Sequence, residues 1–330
     1  MYQLTSRPAW LLLLVLSIVE GLALMALALC SCGAQPVVVA RVGETAISAE
    51  DVAYRQAVVT VRSGEEFPAH LALLQLIQEA LLAEVGRAYG VVVTEEMLAD
   101  EAARVEATSR DPETLARVRA VFGDDEVAYR RLVLQPILVN QLLHARFSLG
   151  HDIQAEPLAR AQEVLAGALA DAASLPTLAE EFGGEYWQLE IVGGRIRHGD
   201  EPFDGAPLDQ ARDGQDRGGE VLPPELAQYD VEWPDYDREF VEQVVLGLAA
   251  GELHPRVVED RHSFMVVRLL SLENGGEDGL LESVVIPKLA FDPWFQTQSQ
   301  RVPLTINDQL LKDTLLAEVD LPYITDRLDE

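Results

Sequence analysis

Histidines and acids are the side chains of this chain that could act as acids, bases or metal ligands. The six histidines are His70, His144, His151, His198, His254 and His262. His70, His198 and His254 have no metal-like spacing to acids or to each other. Asp235 and Asp237 could form an acid pair, although a solvated turn is the more common role of this pattern. The sequence contains no nucleophile elbow and no phosphate-binding glycine loop.

Both cysteines of the chain, Cys30 and Cys32, stand at the end of an apolar run, and no cysteine follows them. The rest of the chain therefore has neither an internal disulfide nor a thiolate metal site. The stretch LCSCG resembles a bacterial lipobox with Cys32 as the modified residue. Cys30 fits this motif less well, because the bulky Leu29 would directly precede it. We therefore expect lipidation at Cys32.

The apolar run from Ala9 to Cys30 contains a single charge, Glu20. It is longer than the core of a usual signal peptide, about 7 to 15 residues, and a carboxylate in its middle is costly in hydrocarbon. Residues 1–32 are predicted to be a signal or anchor segment. A lipoprotein, an uncleaved anchor helix and a secreted protein cut near Ala34 remain open. We expect the body to lie on the periplasmic side of a bacterial cell envelope, held at a membrane.

Composition limits the partners and the number of domains. The chain has 330 residues, of which 48% are hydrophobic, and this is enough for about two domain cores. It has 25 Lys and Arg against 55 Asp and Glu, for a formal net charge of -30. Acids are spread throughout and cations do not cluster, so the charge pattern argues against a nucleic-acid partner.

The sequence from residue 37 onward begins with signals for a hairpin and two helices. Two β-prone runs flank Gly43-Glu44, and Ser48 with Asp51 three residues later predicts a capped helix start. A long helix then ends at Gly90. Its apolar stripe is predicted to comprise Leu74, Ile77, Leu81, Val85 and Ala88.

Three further helix starts follow before residue 150. Thr94 is a predicted N-cap, and Asp111-Pro112 combines a cap with a proline in the first turn. Asp124 or Asp125 begins a long helix that contains Pro136. Because proline lacks a backbone N–H, this helix is expected to bend near Pro136. His144, on the same helix, is expected to be a solvent-facing or capped side chain.

Residues 151–275 mix helix and strand signals. After an amphipathic helix, LPTLAEEF predicts a second helix and YWQLEIVG a strand. Residues 193–219 are rich in Gly, Asp and Arg and are expected to form a long, acidic, mobile loop. A helix at 239–248 and two strands, PRVVED and SFMVVRLLSLE, complete this region.

Two stretches resemble the exported parvulin-type foldases, a family that includes SurA-like periplasmic chaperones and their lipoprotein relatives. VARVGETAIS from Val39 and LLQLIQEALLAEVGRAYGVVVTEEML from Leu73 are similar to the N-terminal SurA-like domain. LPTLAEEF, GGEVL from Gly218, EFVEQVVLGLAAGEL from Glu239 and SFMVVRLL from Ser263 are similar, in this order, to the PpiC-type parvulin domain. The ordered set of motifs carries the resemblance.

The resemblance implies an α+β fold with a mainly helical SurA-like domain at 37–150. A small parvulin-like α+β domain with a short antiparallel sheet is expected at 151–275. Residues 280–330 are expected to form a C-terminal segment that packs back on the helical domain. This segment carries an aromatic cluster, which consists of Phe291, Trp294 and Phe295. We expect these rings to pack internally, with contact to a client or partner as the alternative.

Parvulins accelerate rotation about X-Pro bonds by holding the proline in an apolar cleft beside a polar His/Cys-or-Asp/His cluster. By resemblance, the strand histidine of the family falls on Met265, or on Phe264 if the register shifts by one. His262 would lie on the opposite face of the strand from Met265. The residues nearest to the earlier family histidine are Phe147 and His151, and no residue matches the acidic or thiol position. The catalytic residues therefore stay unknown.

The peptide-binding cleft implied by the family consists of Leu222, Phe240, Met265 and Val267, and core packing is the alternative for the last two. No cofactor and no metal are implied. The predicted function is a membrane-tethered periplasmic chaperone of the parvulin peptidyl-prolyl isomerase type. It would bind unfolded or nascent envelope proteins with weak or no isomerase activity. The alternatives are an active isomerase with a rearranged site and a non-enzymatic accessory subunit of an envelope assembly complex.

Overall fold

The computed structural model describes residues 36–170, 174–198, 201–202 and 240–319, together with residues 324 and 328. Over these residues the chain is an α+β protein with two antiparallel sheets. The first part contains β1 (Val38–Val42), β2 (Thr45–Ser48), α1 (Ala49–Ser63), α2 (Ala69–Ala88), α3 (Glu95–Thr108), α4 (Pro112–Phe122), α5 (Glu126–Tyr129) and α6 (Gln135–Leu149).

The second part begins with two helices and continues with strands. It contains α7 (Ala155–Ala170), α8 (Leu175–Phe182), β3 (Glu185–Val192), β4 (Arg195–His198), β5 (Glu201–Pro202), β6 (Val258–Glu259), β7 (Ser263–Glu273) and β8 (Asp278–Pro287). The chain then forms α9 (Phe291–Ser299), β9 (Leu304–Ile306) and α10 (Gln309–Glu318). Two π-helical segments, Arg130–Leu134 and Val241–Val245, and a short 3-10 helix, Asn274–Gly276, complete the described elements.

Side-chain caps begin four of the helices at the predicted residues. Ser48 and Asp51 form a reciprocal capping box at the start of α1. Thr94 accepts the Met97 N–H at the start of α3, and Asp111 caps α4. Asp125, one of the two predicted candidates, caps α5. These predictions are confirmed, and each depends on residues only three positions apart.

Helix α2 lies at the centre of the first apolar core. Of the predicted stripe, Ile77, Leu81 and Val85 are buried, whereas Leu74 is half-buried and Ala88 is exposed. The buried surface extends beyond the stripe because α1, α6, α10 and the β1–β2 hairpin contact α2 from several sides. The additional buried side chains are those of His70, Ala72, Leu73, Leu76 and Ala80.

The long helix that contains Pro136 changes its hydrogen-bond pattern just before the proline. Segment Arg130–Leu134 is π-helical, and the Gln135 N–H bonds to the Arg130 carbonyl. Proline cannot donate to the carbonyl four residues earlier, that of Leu132. The expected disturbance is therefore present as a π-helical turn.

The small sheet joins the two ends of the described chain. Its strand order is β2-β1-β9, so β1 lies between its hairpin partner and a strand from near the C-terminus. Ala40 of β1 pairs with Ile306 of β9, and α10 packs on α2. Leu315 of α10 is fully buried in the same apolar core. Residues after Asp308 therefore form part of the helical core.

The large sheet has the strand order β5-β4-β3-β8-β7-β6, with antiparallel neighbours throughout. Strands β4 and β5 fall within the stretch 193–219, for which a mobile loop was expected. The expectation is wrong at residues 195–198 and 201–202, because Gly193 and Gly194, both with positive φ, close a two-residue hairpin turn after β3. Residues 203–219 lie outside the described chain.

Strand β8 divides the expected C-terminal segment 280–330. It pairs with β3 on one side and β7 on the other, so residues 280–287 belong to the large sheet. Burial on both faces explains this position, since Leu281 and Val285 face one core while Val284 and Ile286 face the other. The described chain after β8 contacts the helical part, through α9, β9 and α10.

The aromatic side chains of α9 pack against the helical part. The ring of Trp294 lies 5.0 Å from that of Tyr89 and 5.0 Å from that of Phe147. Phe291 stacks on His144 with the ring centroids 3.7 Å apart. His144 is exposed, as expected, and one face of its ring contacts Phe291.

Candidate functional site

The predicted cleft residues belong to one face of the large sheet. Side chains alternate along β7, so Phe264 and Val266 face α7 and α8. Met265 and Val267 point to the opposite face, which we term the apolar face. This alternation also places the two possible positions of the family's strand histidine on opposite sides of the sheet.

The register of the sheet defines the centre of the apolar face. Met265 of β7 pairs with Val258 of β6 and with Val285 of β8. One row further along, Val267 pairs with Ser283 of β8. Ser283 in turn pairs with Trp187 of β3, whose indole N–H bonds to Glu185 at 3.1 Å. Trp187 of β3 thus adds a polar and partly exposed group beside the apolar face.

Segment Val241–Val245, together with Phe240, covers the apolar face, and we term Val241–Val245 the covering segment. Phe240, Met265 and Val267 belong to one apolar cluster, and each is about 1% exposed. The structure therefore brings together three of the four predicted cleft residues. As placed, they are core side chains rather than the walls of an open groove, because the covering segment lies over them. Leu222 lies outside the described residues.

The positions that the family resemblance assigns to catalysis carry no acid or base. Met265 and Phe264 are apolar and buried. Among the described residues, the apolar cluster around Met265 contains no ionisable side chain. Phe147 is buried against the rings of α9, and His151 lies near Phe264 with the ring centroids 6.4 Å apart. His262 contacts the neighbouring strand through its carbonyl, which accepts the Lys288 N–H.

Ser283 is a polar residue of the apolar face that the sequence analysis did not identify. Its side chain is fully buried, and its hydroxyl has no hydrogen-bond partner among the described residues. A buried polar group without a partner costs about 1–3 kcal/mol. The sequence does contain a signal for this residue, because a serine interrupts the apolar run LLESVVI. The burial of Ser283, however, depends on the strands on either side of β8.

A polar cluster connects the helical part to the end of the large sheet. Glu259 of β6 binds His151 Nε2 at 2.7 Å and Lys288 Nζ at 2.8 Å. Lys288 Nζ also donates to the Ser148 carbonyl at 2.8 Å and lies 5.0 Å from the centre of the Phe264 ring. Burial lowers the pKa of Lys288, and the Glu259 carboxylate partly opposes this effect. This arrangement holds the end of α6 against β6 and β7.

A second buried acid stabilises the turn before β7. Asp260 accepts hydrogen bonds from the backbone N–H groups of His262 and Ser263 and from the Ser263 hydroxyl. Burial, with the nearby charge of Arg261, lowers the pKa of the His262 imidazole. Both acids of this region are thus engaged in local structure, which fits a structural role.

Several predicted features lie outside the described residues, namely the apolar run, Cys32, and the pair Asp235 and Asp237. Within the part of the chain that the structure describes, no helix combines the length and apolar character needed to cross a membrane. In the same part, no group of three or more His, Asp or Glu side chains is arranged to hold a metal ion.

No protein-family model matches the sequence, and no curated protein matches it at a significant level.

Proposed function

We propose that this protein is a membrane-tethered envelope chaperone of the parvulin type, which binds unfolded segments of envelope proteins. Its resemblance to the SurA-like and parvulin motifs supports the proposal, as does the sequence pattern of an exported, acidic chain with a candidate lipid site at Cys32. The function needs neither a cofactor nor a metal. Its clients are unfolded or nascent envelope proteins on the periplasmic side.

The observation that carries the proposal is the short cover over the apolar face. The covering segment contributes Val241, Val244 and Val245 to the apolar cluster, and it is a single π-helical turn. A π-helical turn is a rare conformation that often occurs at functional sites. When this segment moves away, Met265, Val267 and Ser283 become available to an apolar segment of a client. The Ser283 hydroxyl would then gain a partner in the client backbone.

The composition of the apolar face favours binding over catalysis. Isomerisation requires groups that stabilise the twisted amide more than the planar one. Met265 occupies a position that the resemblance gives to the strand histidine of the family, and its side chain cannot donate a hydrogen bond. We therefore infer weak or no isomerase activity.

The proposal is tested by the aggregation of an unfolded outer-membrane protein in the presence of the full chain. Suppression at equimolar ratio is expected, together with no acceleration of a proline-limited refolding reaction. Catalysis at substoichiometric amounts would instead identify an active isomerase. If neither activity appears and one envelope protein co-purifies in a fixed ratio, the accessory-subunit alternative holds.

A pair of matched variants locates the binding site. Val245→Ala removes a fully buried side chain from the covering segment, and Val164→Ala removes one from α7 on the other side of the sheet. If Val245→Ala weakens the packing of the covering segment on the apolar face by about 1 kcal/mol, the affinity for clients should rise up to about fivefold. The Val164→Ala variant should bind clients as the wild type does. Equal affinities of both variants would exclude the apolar face as the client site.

A further inference from the structure

A cavity of about 240 Å³ lies in the helical part, between β2, α2 and the π-helical turn that leads into α6. Its apolar walls include Leu76, Ala80, Ala83 and Val139. This volume is smaller than that of pockets for drug-sized ligands, about 300–1,000 Å³. The cavity is therefore suited to a group the size of a single amino acid.

Two arginines line the cavity, and their side chains are both about half exposed. Arg131 uses Nη2 to bind Asp51 Oδ1 at 2.5 Å, and Arg87 uses Nη1 to bind Glu84 at 2.7 Å and Glu44 at 3.4 Å. A guanidinium carries five N–H donors in a planar arrangement. Donors on each arginine are therefore left for a further acceptor. The chain has a net charge of -30, so acids far outnumber cations. Two partly exposed arginines at the same cavity therefore stand out from the rest of the chain.

The carboxyl groups that line the cavity oppose an anion only weakly. Burial would raise the pKa of Asp51, but the Arg131 and Ser48 hydrogen bonds hold it below its usual value, so its charge is compensated by direct contacts. Burial raises the pKa of Glu79 to about 7 despite its pairing with Arg55. Glu79 is thus partly protonated near neutral pH.

We propose that this cavity binds an apolar group that ends in a carboxylate, with the carboxylate on Arg131 and Arg87 and the apolar group against Ala80 and Ala83. Two sources carry this chemistry, the C-terminal residue of a polypeptide and a free amphipathic monocarboxylate. Charge-assisted hydrogen bonds from arginine to a carboxylate supply the selectivity for the anion. The site is separate from the apolar face, and its test does not depend on chaperone activity.

The chemistry is tested by calorimetric titration of the purified full chain with N-acetyl-L-leucine and with its amide. The acid should bind at least about tenfold more tightly than the amide, because only the acid forms charge-assisted hydrogen bonds with the arginines. Equal binding of the two compounds, or binding of neither, overturns the proposal.

The position is tested with a matched pair on α2. Ala83→Phe places a large side chain in the cavity and should abolish binding, whereas Ala88→Phe makes the same change at an exposed position and should not affect it. Arg131→Gln should weaken binding of the acid about tenfold or more. Because this change leaves Asp51 without its partner, Ala83→Phe provides the independent result if Arg131→Gln does not fold. Unchanged binding in Ala83→Phe overturns the assignment.

The two sources are distinguished with an N-acetylated hexapeptide that ends in leucine and with octanoate. Tight binding of the hexapeptide and loss of binding on its C-terminal amidation identify a site for polypeptide C-termini. Binding of octanoate without the hexapeptide identifies a site for small carboxylates. Failure of both, after N-acetyl-L-leucine has bound, would contradict the inferred ligand chemistry.

Discussion

Arg55 donates a hydrogen bond from Nη2 to the carbonyl oxygen of Leu132 at 2.8 Å. This oxygen is the acceptor that Pro136 leaves without a helical N–H. The same Nη2 lies 2.5 Å from Glu79 Oε2, so one guanidinium satisfies both a helix carbonyl and a mostly buried carboxyl group. A side chain from α1 thus stabilises an interruption in the helix that leads into α6.

Replacement of Arg55 by methionine should lower the free energy of unfolding by about 2–4 kcal/mol, because the Leu132 carbonyl and Glu79 lose their partner. In a Pro136→Ala background the loss should be smaller, since residue 136 then supplies an N–H to Leu132. Urea unfolding of the four proteins of this double-mutant cycle measures the difference.

Arg62→Met, at an exposed position of α1, is the control and should change stability by less than about 0.5 kcal/mol. Strictly additive effects of Arg55→Met and Pro136→Ala would contradict this account.

The raised pKa of Glu79 predicts a specific pH dependence of stability. Its value is about 7 in the folded chain against an ordinary value of 4.5. Between these values the folded state holds a proton that the unfolded state releases, so the contribution of Glu79 to stability falls as the pH rises from about 4.5 to 7. The wild type should lose up to about 3 kcal/mol relative to Glu79→Gln over this range and stay parallel to it above pH 8. Chemical unfolding at a series of pH values tests this, and parallel curves throughout would refute the assignment.

Two buried serines of adjacent strands should respond in opposite directions to replacement by alanine. Ser283→Ala removes a buried hydroxyl that has no partner in the described part of the chain, and it should raise the free energy of unfolding by about 0.5–2 kcal/mol. Ser263→Ala removes a hydroxyl that donates to Asp260 at 2.6 Å and should lower it by about 1–3 kcal/mol. Thermal and urea unfolding provide the comparison. A destabilised Ser283→Ala variant would show that this hydroxyl has a partner in the folded protein.

The two nitrogen partners of Glu259, Lys288 and His151, should differ in their contribution to stability. The side chain of Lys288 is 3% exposed and that of His151 is 60% exposed. Lys288→Met should therefore cost about 2–4 kcal/mol, since it leaves Glu259 and the Ser148 carbonyl with fewer partners. His151→Ala should cost less than about 1 kcal/mol, as is usual for exposed pairs. If urea unfolding shows equal losses of stability for the two variants, burial does not determine how much each partner of Glu259 contributes.

Local patterns predicted the helix starts well. The capping box of Ser48 and Asp51 and the caps at Thr94, Asp111 and Asp125 are all found where the sequence places them. A cap is formed by groups three positions apart in the chain, so its chemistry is complete within a short window of sequence. The same reasoning located the β1–β2 hairpin and strand β7.

The composition of the sheets could not be predicted in this way. The stretch LLESVVI has no feature that selects a position between β3 and β7 over packing on the helical part. Its pairing depends on residues more than ninety positions away, as in the pair Tyr186 and Val284. The burial of Phe240 and Met265 depends in the same way on where the covering segment lies. Periodicity indicates that a side chain is buried, but it does not name the partner.

The sequence by itself determined the acidity, the absence of cysteine after Cys32 and the order of the capped helices, and it predicts an export signal, since these are properties of composition and of near neighbours. The tertiary structure alone decided that Arg55 binds the Leu132 carbonyl near Pro136, that Ser283 is buried with no partner among the residues described, and that Arg131 and Arg87 line the same cavity. These relationships join residues that are far apart in the chain. They arise only when the packing of whole elements brings such residues together, and no local propensity encodes them.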